Sequence, residues 1–210
     1  MLKKCKGTLI AGCIVCLIPL VVGLLLWDKL PDRVPTHFGV NNEVDGWGSK
    51  TFAVIGMPFI MLGAELLVAF VTSADPRRRN INEKVFRLIL WLVPVIGMVC
   101  CLIPYGIALG MEINIGLWVN VLVGVMFIIL GNLMHKVKQN YTIGIKLPWT
   151  LHSEENWNRT HRFGSWMFIL GGVLMIVNGF FQSTWAIVAI VILAAGIPSV
   201  YSYLLYRRGI

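Results

Sequence analysis

Polar residues are scarce in this chain, and four groups of them have types and spacing that could do chemistry. Glu65 stands inside an apolar run, about 10 Å from its end at the rise of an α-helix. A carboxyl group within a membrane is expensive and is a functional candidate by default. Arg87, Asn132, His135, His161 and Arg162 fall at similar depth, so a polar cluster opening to the cytoplasm is one expectation. A carboxyl serving helix packing alone is the other.

His37, Glu43 and Asp45 lie close together in a polar segment, where they could hold a divalent cation or shape a loop through hydrogen bonds. The hydrogen-bonding reading is preferred. Pro31 and Pro35 forbid a regular helix at its start, and Asp45-Gly46 signals a turn. The segment 28–50 is therefore expected to be a compact extended loop or short hairpin.

A second polar stretch runs from Asn140 through Gly144, Lys146, Pro148, Trp149 and Thr150 to Trp157, His161, Arg162 and Gly164. Ser153 is placed to cap a helix, with Glu154 and Glu155 favourable in its first turn. In that helix Trp157, His161 and Gly164 share one face. Leu147-Pro148-Trp149 is expected to be extended, because the residue before a proline is pushed out of the helical region. The segment is either a plug of structure or a site for a partner or ligand.

Cys13-x-x-Cys16 forms the fourth group, but it sits in an apolar run where a thiol acts as a small hydrophobe. The five cysteines, Cys5, Cys13, Cys16, Cys100 and Cys101, are odd in number and make no disulfide framework. Zinc catalysis would call for a helical H-E-x-x-H, which is absent, and the histidines are dispersed. Neither metal nor cofactor is expected, and no catalytic residue is assigned.

The elements that must position these groups are membrane helices. Only 13% of the 210 residues are charged, against about 25% in a typical soluble domain. Apolar runs near 7–27, 51–72, 86–109, 115–134, 164–182 and 184–206 are each long enough to cross a bilayer. Leu9-Ile10-Ala11-Gly12-Cys13 looks like a lipoprotein cleavage box, but the apolar run continues to Trp27, so an uncleaved first span is the expectation. The fold class is an all-α integral membrane protein, a single six-helix bundle over 1–210, with an outer loop at 28–50 and an inner loop at 135–163.

Orientation follows from lysine and arginine, which concentrate in cytoplasmic loops. With the N-terminus inside, Lys3, Lys4, Lys6, Arg77, Arg78, Arg79, Lys84, Arg87, Lys136, Lys138, Lys146, Arg159, Arg162, Arg207 and Arg208 are inner. Only Lys29, Arg33 and Lys50 are outer. Both termini are expected in the cytoplasm. The net charge of +8 is thereby explained by topology and anionic lipid, with no direct role for nucleic acid.

The two loops together resemble the SdpI family of bacterial membrane immunity proteins, which act against the SDP peptide toxin. Pro35, His37, Phe38, Gly46, Trp47, Gly48 and Lys50 match a Pro-x-His-Phe/Trp…Gly-Trp-Gly-x-Lys module common at the start of its members. Asn140, Gly144, Ile145, Pro148, Trp149 and Thr150, then Trp157, His161, Arg162 and Gly164, match the more specific Asn-x-x-x-Gly-Ile-Arg-x-Pro-Trp-Thr and Trp-x-x-x-His-Arg-x-Gly. Asn132 also fits. Lys146 stands where arginine is usual, which weakens the case for a bidentate anion contact there.

The resemblance implies a bacterial plasma-membrane protein that gives resistance to a secreted peptide toxin at its outer face. It also implies that a cytoplasmic transcriptional repressor is held at its inner face. The inner candidates for partner or ligand binding are Asn132, Asn140, Gly144, Lys146, Pro148, Trp149, Thr150, Trp157, His161 and Arg162. The outer ones are Pro35, His37, Asp45, Trp47 and Lys50, and the intramembrane ones Glu65 and His135. Two other readings stay open beside immunity: a small transporter or flippase using Glu65 as a relay, and an intramembrane metal-dependent enzyme.

Overall fold

The computed structural model describes residues 1–39 and 42–210; Val40 and Asn41 of the outer loop lie outside the described residues. Among the described residues, six helices are long and apolar enough to cross a membrane: α1 (Leu2–Leu25), α2 (Phe52–Ser73), α3 (Glu83–Ala108), α4 (Ile115–Met134), α6 (Glu154–Phe181) and α7 (Thr184–Arg207). A short α5 (Pro148–His152) precedes α6. The helical, six-span reading holds, with one short hairpin beside the helices, and the chain is a multi-pass membrane protein. It divides into two compact units, Met1–Ala74 with Phe86–Ile115, and Asp75–Val85 with Gly116–Ile210.

In the first unit an antiparallel hairpin joins α1 to α2. Its strands are β1 (Arg33–Phe38) and β2 (Val44–Ser49), with Pro35 opposite Trp47 and His37 opposite Gly46. Val34 and Leu30 are buried and pack with Ala53, Val54, Cys101 and Tyr105, so the hairpin is seated on the ends of α2 and α3. Leu30 and Val34 lie outside the spans, and burying each contributes roughly 1.5–3 kcal/mol.

The first turn of α2 is a π-turn over Phe52–Gly56, and α7 holds another over Ile192–Gly196. Each ends two residues before a proline, Pro58 and Pro198. Proline has no N–H and its ring crowds the carbonyl four residues back, so the wider turn relieves that clash. In α2 the Met57 N–H bonds the Phe52 carbonyl instead of that of Ala53. The freed Ala53 oxygen then accepts from the Tyr105 hydroxyl at 3.0 Å.

In the second unit α4 and α6 cross at glycines. A Cβ on Gly124 would lie 2.6 Å from the Gly172 carbonyl oxygen, and one on Gly172 would lie 2.5 Å from that of Gly124. Only hydrogen side chains permit this approach, which is how membrane helices gain van der Waals contact. Two polar bonds reinforce the pair: Asn178 donates to Asn120 Oδ1 at 3.0 Å, and Ser165 Oγ donates to the Gly131 carbonyl at 2.5 Å.

Candidate functional site

The inner loop is held by buried hydrogen bonds rather than by regular structure. Asn140 is fully buried; its Oδ1 accepts from the Thr142 and Ile143 N–H groups at 2.9 and 2.7 Å, and its Nδ2 donates to the Lys138 carbonyl. Asp75 reinforces the same turn, accepting from Tyr141 N–H at 2.9 Å and Thr142 Oγ1 at 2.5 Å, and from Arg77 N–H. Arg77 donates to the Gln139 side chain and lies over the Tyr141 ring.

Gly144 turns the chain with φ +116°, a conformation that favours glycine. Space makes the same demand, since a Cβ there would lie 2.3 Å from His161 Nε2. The turn delivers the Ile145 N–H to that nitrogen at 3.0 Å, while His161 Nδ1 sits 2.8 Å from the Trp157 carbonyl. Nδ1 must therefore carry the proton and donate, and Nε2 must accept. The His161 ring stacks on Trp157 at 4.0 Å, and the buried Trp157 indole donates to the Val137 carbonyl at 2.8 Å. With both ring nitrogens engaged, His161 is a structural clasp.

Thr150, also fully buried, closes the other end. Its Oγ1 accepts from Leu147 N–H at 2.8 Å and lies 2.9 Å from the Ile145 and Leu147 carbonyls, one of which takes its proton. Leu147 is extended, as expected, but Pro148 and Trp149 are not: they open α5. Proline restricts the residue before it, while its own fixed φ suits the first turn of a helix. Ser153 caps α6 as expected, its Oγ accepting from Asn156 N–H at 3.1 Å.

Trp149 faces a groove of about 690 Å³ framed by Pro148, His152, Ser153, Tyr206, Gly209 and Ile210. Its ring stacks on Tyr206 and meets Tyr203 edge-on, while its indole nitrogen is buried without a hydrogen-bond partner. Asn156 ties α6 to the chain end beside this groove, donating to the Ser202 and Ile210 carbonyls and accepting from Ser202 Oγ at 2.6 Å. Lys146 is exposed and reaches back to the Thr142 carbonyl at 2.9 Å.

Thus Asn140, Gly144, Thr150, Trp157 and His161 form one interlocked body, with Pro148 and Trp149 on its groove side. Asn132, His135 and Arg162 line a separate cleft. Sequence reasoning missed Asp75, Gln139, Asn156 and Ser202. Asp75-Pro76 is a turn signal, whereas nothing local marks the other three.

In the hairpin, His37 and Asp45 pair through Nδ1 and Oδ1. Among the described residues no group of three or more His, Cys, Asp or Glu side chains converges, so Glu43 does not complete a set with them. Lys50 donates to the Trp27 carbonyl at 3.2 Å, lies over the Trp27 ring and is 3.6 Å from Asp32. Trp47 is 54% exposed.

Glu65 is fully buried, and neither carboxyl oxygen has a hydrogen-bond partner. Among the described residues no hydrogen bond ties it to Arg87, the cluster candidate in its own unit. In its own unit, a Cβ on Gly12 of α1 would lie 3.3 Å from Glu65 Oε1 and 3.2 Å from both the Leu90 carbonyl oxygen and the Pro94 side chain. Pro94 lacks the N–H that would otherwise bond Leu90, four residues back.

Residues 136–202 match the SdpI/YfhL protein family, and residues 14–62 match a domain of unknown function, DUF1648. The interlocked loop falls almost wholly in the first match, and the hairpin lies in the second. The chain is also 29% identical over 206 residues to a protein named Immunity protein SdpI from Bacillus subtilis (strain 168), covering 97% of each. No solved structure matches the chain.

Proposed function

We infer that this chain, which carries the SdpI/YfhL family segment over residues 136–202, protects the bacterium that makes it against a secreted peptide toxin of the SDP type. The observation that carries this is similarity over 97% of both chains to an immunity protein. It takes in both loops and every span of this chain, so nearly all of the relative has a counterpart. The role is non-catalytic. In support, His161 has both ring nitrogens committed to backbone groups and has neither a free lone pair for a metal nor a free base.

The hairpin, with Trp47 exposed beside the His37–Asp45 pair, is the surface that meets toxin or the lipid around it. The groove at Trp149 is the surface that holds a cytoplasmic partner, a transcriptional repressor. The stacked rings of Trp149 and Tyr206 that line the groove support an apolar contact with such a partner. Lys and Arg placement supports an inner-side position for this groove.

Survival of a toxin-sensitive bacterium expressing the protein, challenged with an SDP-type peptide, tests the reading. The wild type protects, while Trp149→Ala and His161→Ala abolish protection with the protein still in the membrane. Full protection by both variants would remove the inner motif from the function. One observation favours the transport reading as the second: Glu65 is a buried, unpartnered carboxyl within a span. Glu65→Gln retains protection on the immunity reading, and its loss at normal membrane levels would favour transport.

A further inference from the structure

Next to the Ser165–Gly131 bond, toward the ends bearing the basic loop, α4 and α6 leave a cleft of about 570 Å³. Asn132 and the following His135 line it from the α4 side, and Asn158 and Arg162 from α6, with Trp166 and Ile169 at its rim. The four α6 residues recur at three- and four-residue spacing, so they form one stripe along the helix. No carboxylate lines the cleft. Among the described residues Arg162 makes neither an ion pair nor a hydrogen bond, whereas nearby Arg159 is answered by Glu155 at 2.6 Å.

The chemistry of the lining is one-sided. A guanidinium offers five N–H donors in a planar fork suited to phosphate oxygens, and the two amides and the imidazole add donors around it. The rim is of the opposite character. Trp166 is 67% exposed and begins a run of exposed apolar residues, Val173, Val177 and Phe180, along the face of α6. An anion alone would use the donors and leave that apolar face uncovered. The geometry points to a binding site for an anionic glycerophospholipid, its phosphodiester on Arg162, His135 and the two asparagines and its acyl chains along Trp166 and Ile169. Basic pockets between spans on the cytoplasmic side take such headgroups. The site stands apart from the immunity reading and shares no residue with the Trp149 groove.

Native mass spectrometry of the purified full chain, offered equal phosphatidylglycerol and phosphatidylcholine of the same acyl composition, tests it. The wild type retains phosphatidylglycerol preferentially. Arg162→Gln lowers that preference by about fivefold, the size expected for one basic residue at an anionic lipid surface. Asn158→Asp, which sets a carboxylate in the cleft at an exposed helical position, lowers it as well. Excess inorganic phosphate does not displace the lipid; full displacement would reassign the cleft to a free anion and overturn the lipid source. Equal retention of both lipids by the wild type, or a preference surviving in both variants, would overturn the site itself.

Discussion

At the scale of single residues, the inner loop turns on one pair. Gly144 gives the Ile145 N–H a direction that L side chains rarely allow, and His161 accepts it. Gly144→Ala meets both the strained φ and the His161 ring, so it should lower stability by about 1–3 kcal/mol. The checks are a lower melting temperature in detergent and altered emission from Trp157, whose ring stacks on His161. An unchanged melt would mean that the loop re-forms without the clasp. Both residues were legible in the sequence as motif members, but not as partners, because a loop-to-helix contact leaves no periodic trace. Asn156 was less legible still. Its role depends on Ser202 and Ile210, which no local spacing connects to it.

Among the elements, α4 and α6 meet backbone to backbone at their glycines. With Gly124 and Gly172 each within 2.6 Å of the other's carbonyl through a hypothetical Cβ, Gly124→Val cannot be absorbed by a side-chain rotation. Overpacking of this kind costs about 1–3 kcal/mol, and thermal unfolding should show it. Gly63→Val is the control, since a Cβ at Gly63 meets nothing within 4 Å. Equal losses in the two variants would deny the crossing its special role. The spans themselves were legible because a run of roughly 20 apolar residues has few other uses. The start of α6 was legible from Ser153 and the acids after it. The π-turns and α5 were not: a proline in sequence marks a disturbance but does not say whether the chain will bend, widen or begin a helix there.

For the whole molecule, the placement of lysine and arginine predicts both termini inside. A C-terminal fluorescent-protein fusion should fluoresce and a C-terminal alkaline phosphatase fusion should be silent; an active phosphatase would reverse the orientation. The two loops lie in different compact units. The π-turns before Pro58 and Pro198 have a further result for how the chain is phased. Such a turn takes up about one residue more than an α-turn, so a surplus residue is absorbed where it arises and the helix beyond keeps its azimuth. Glu65 lies beyond one of these turns. The direction in which its carboxyl faces therefore already includes one extra residue between it and the hairpin, and each further residue inserted there would turn it by about 100°.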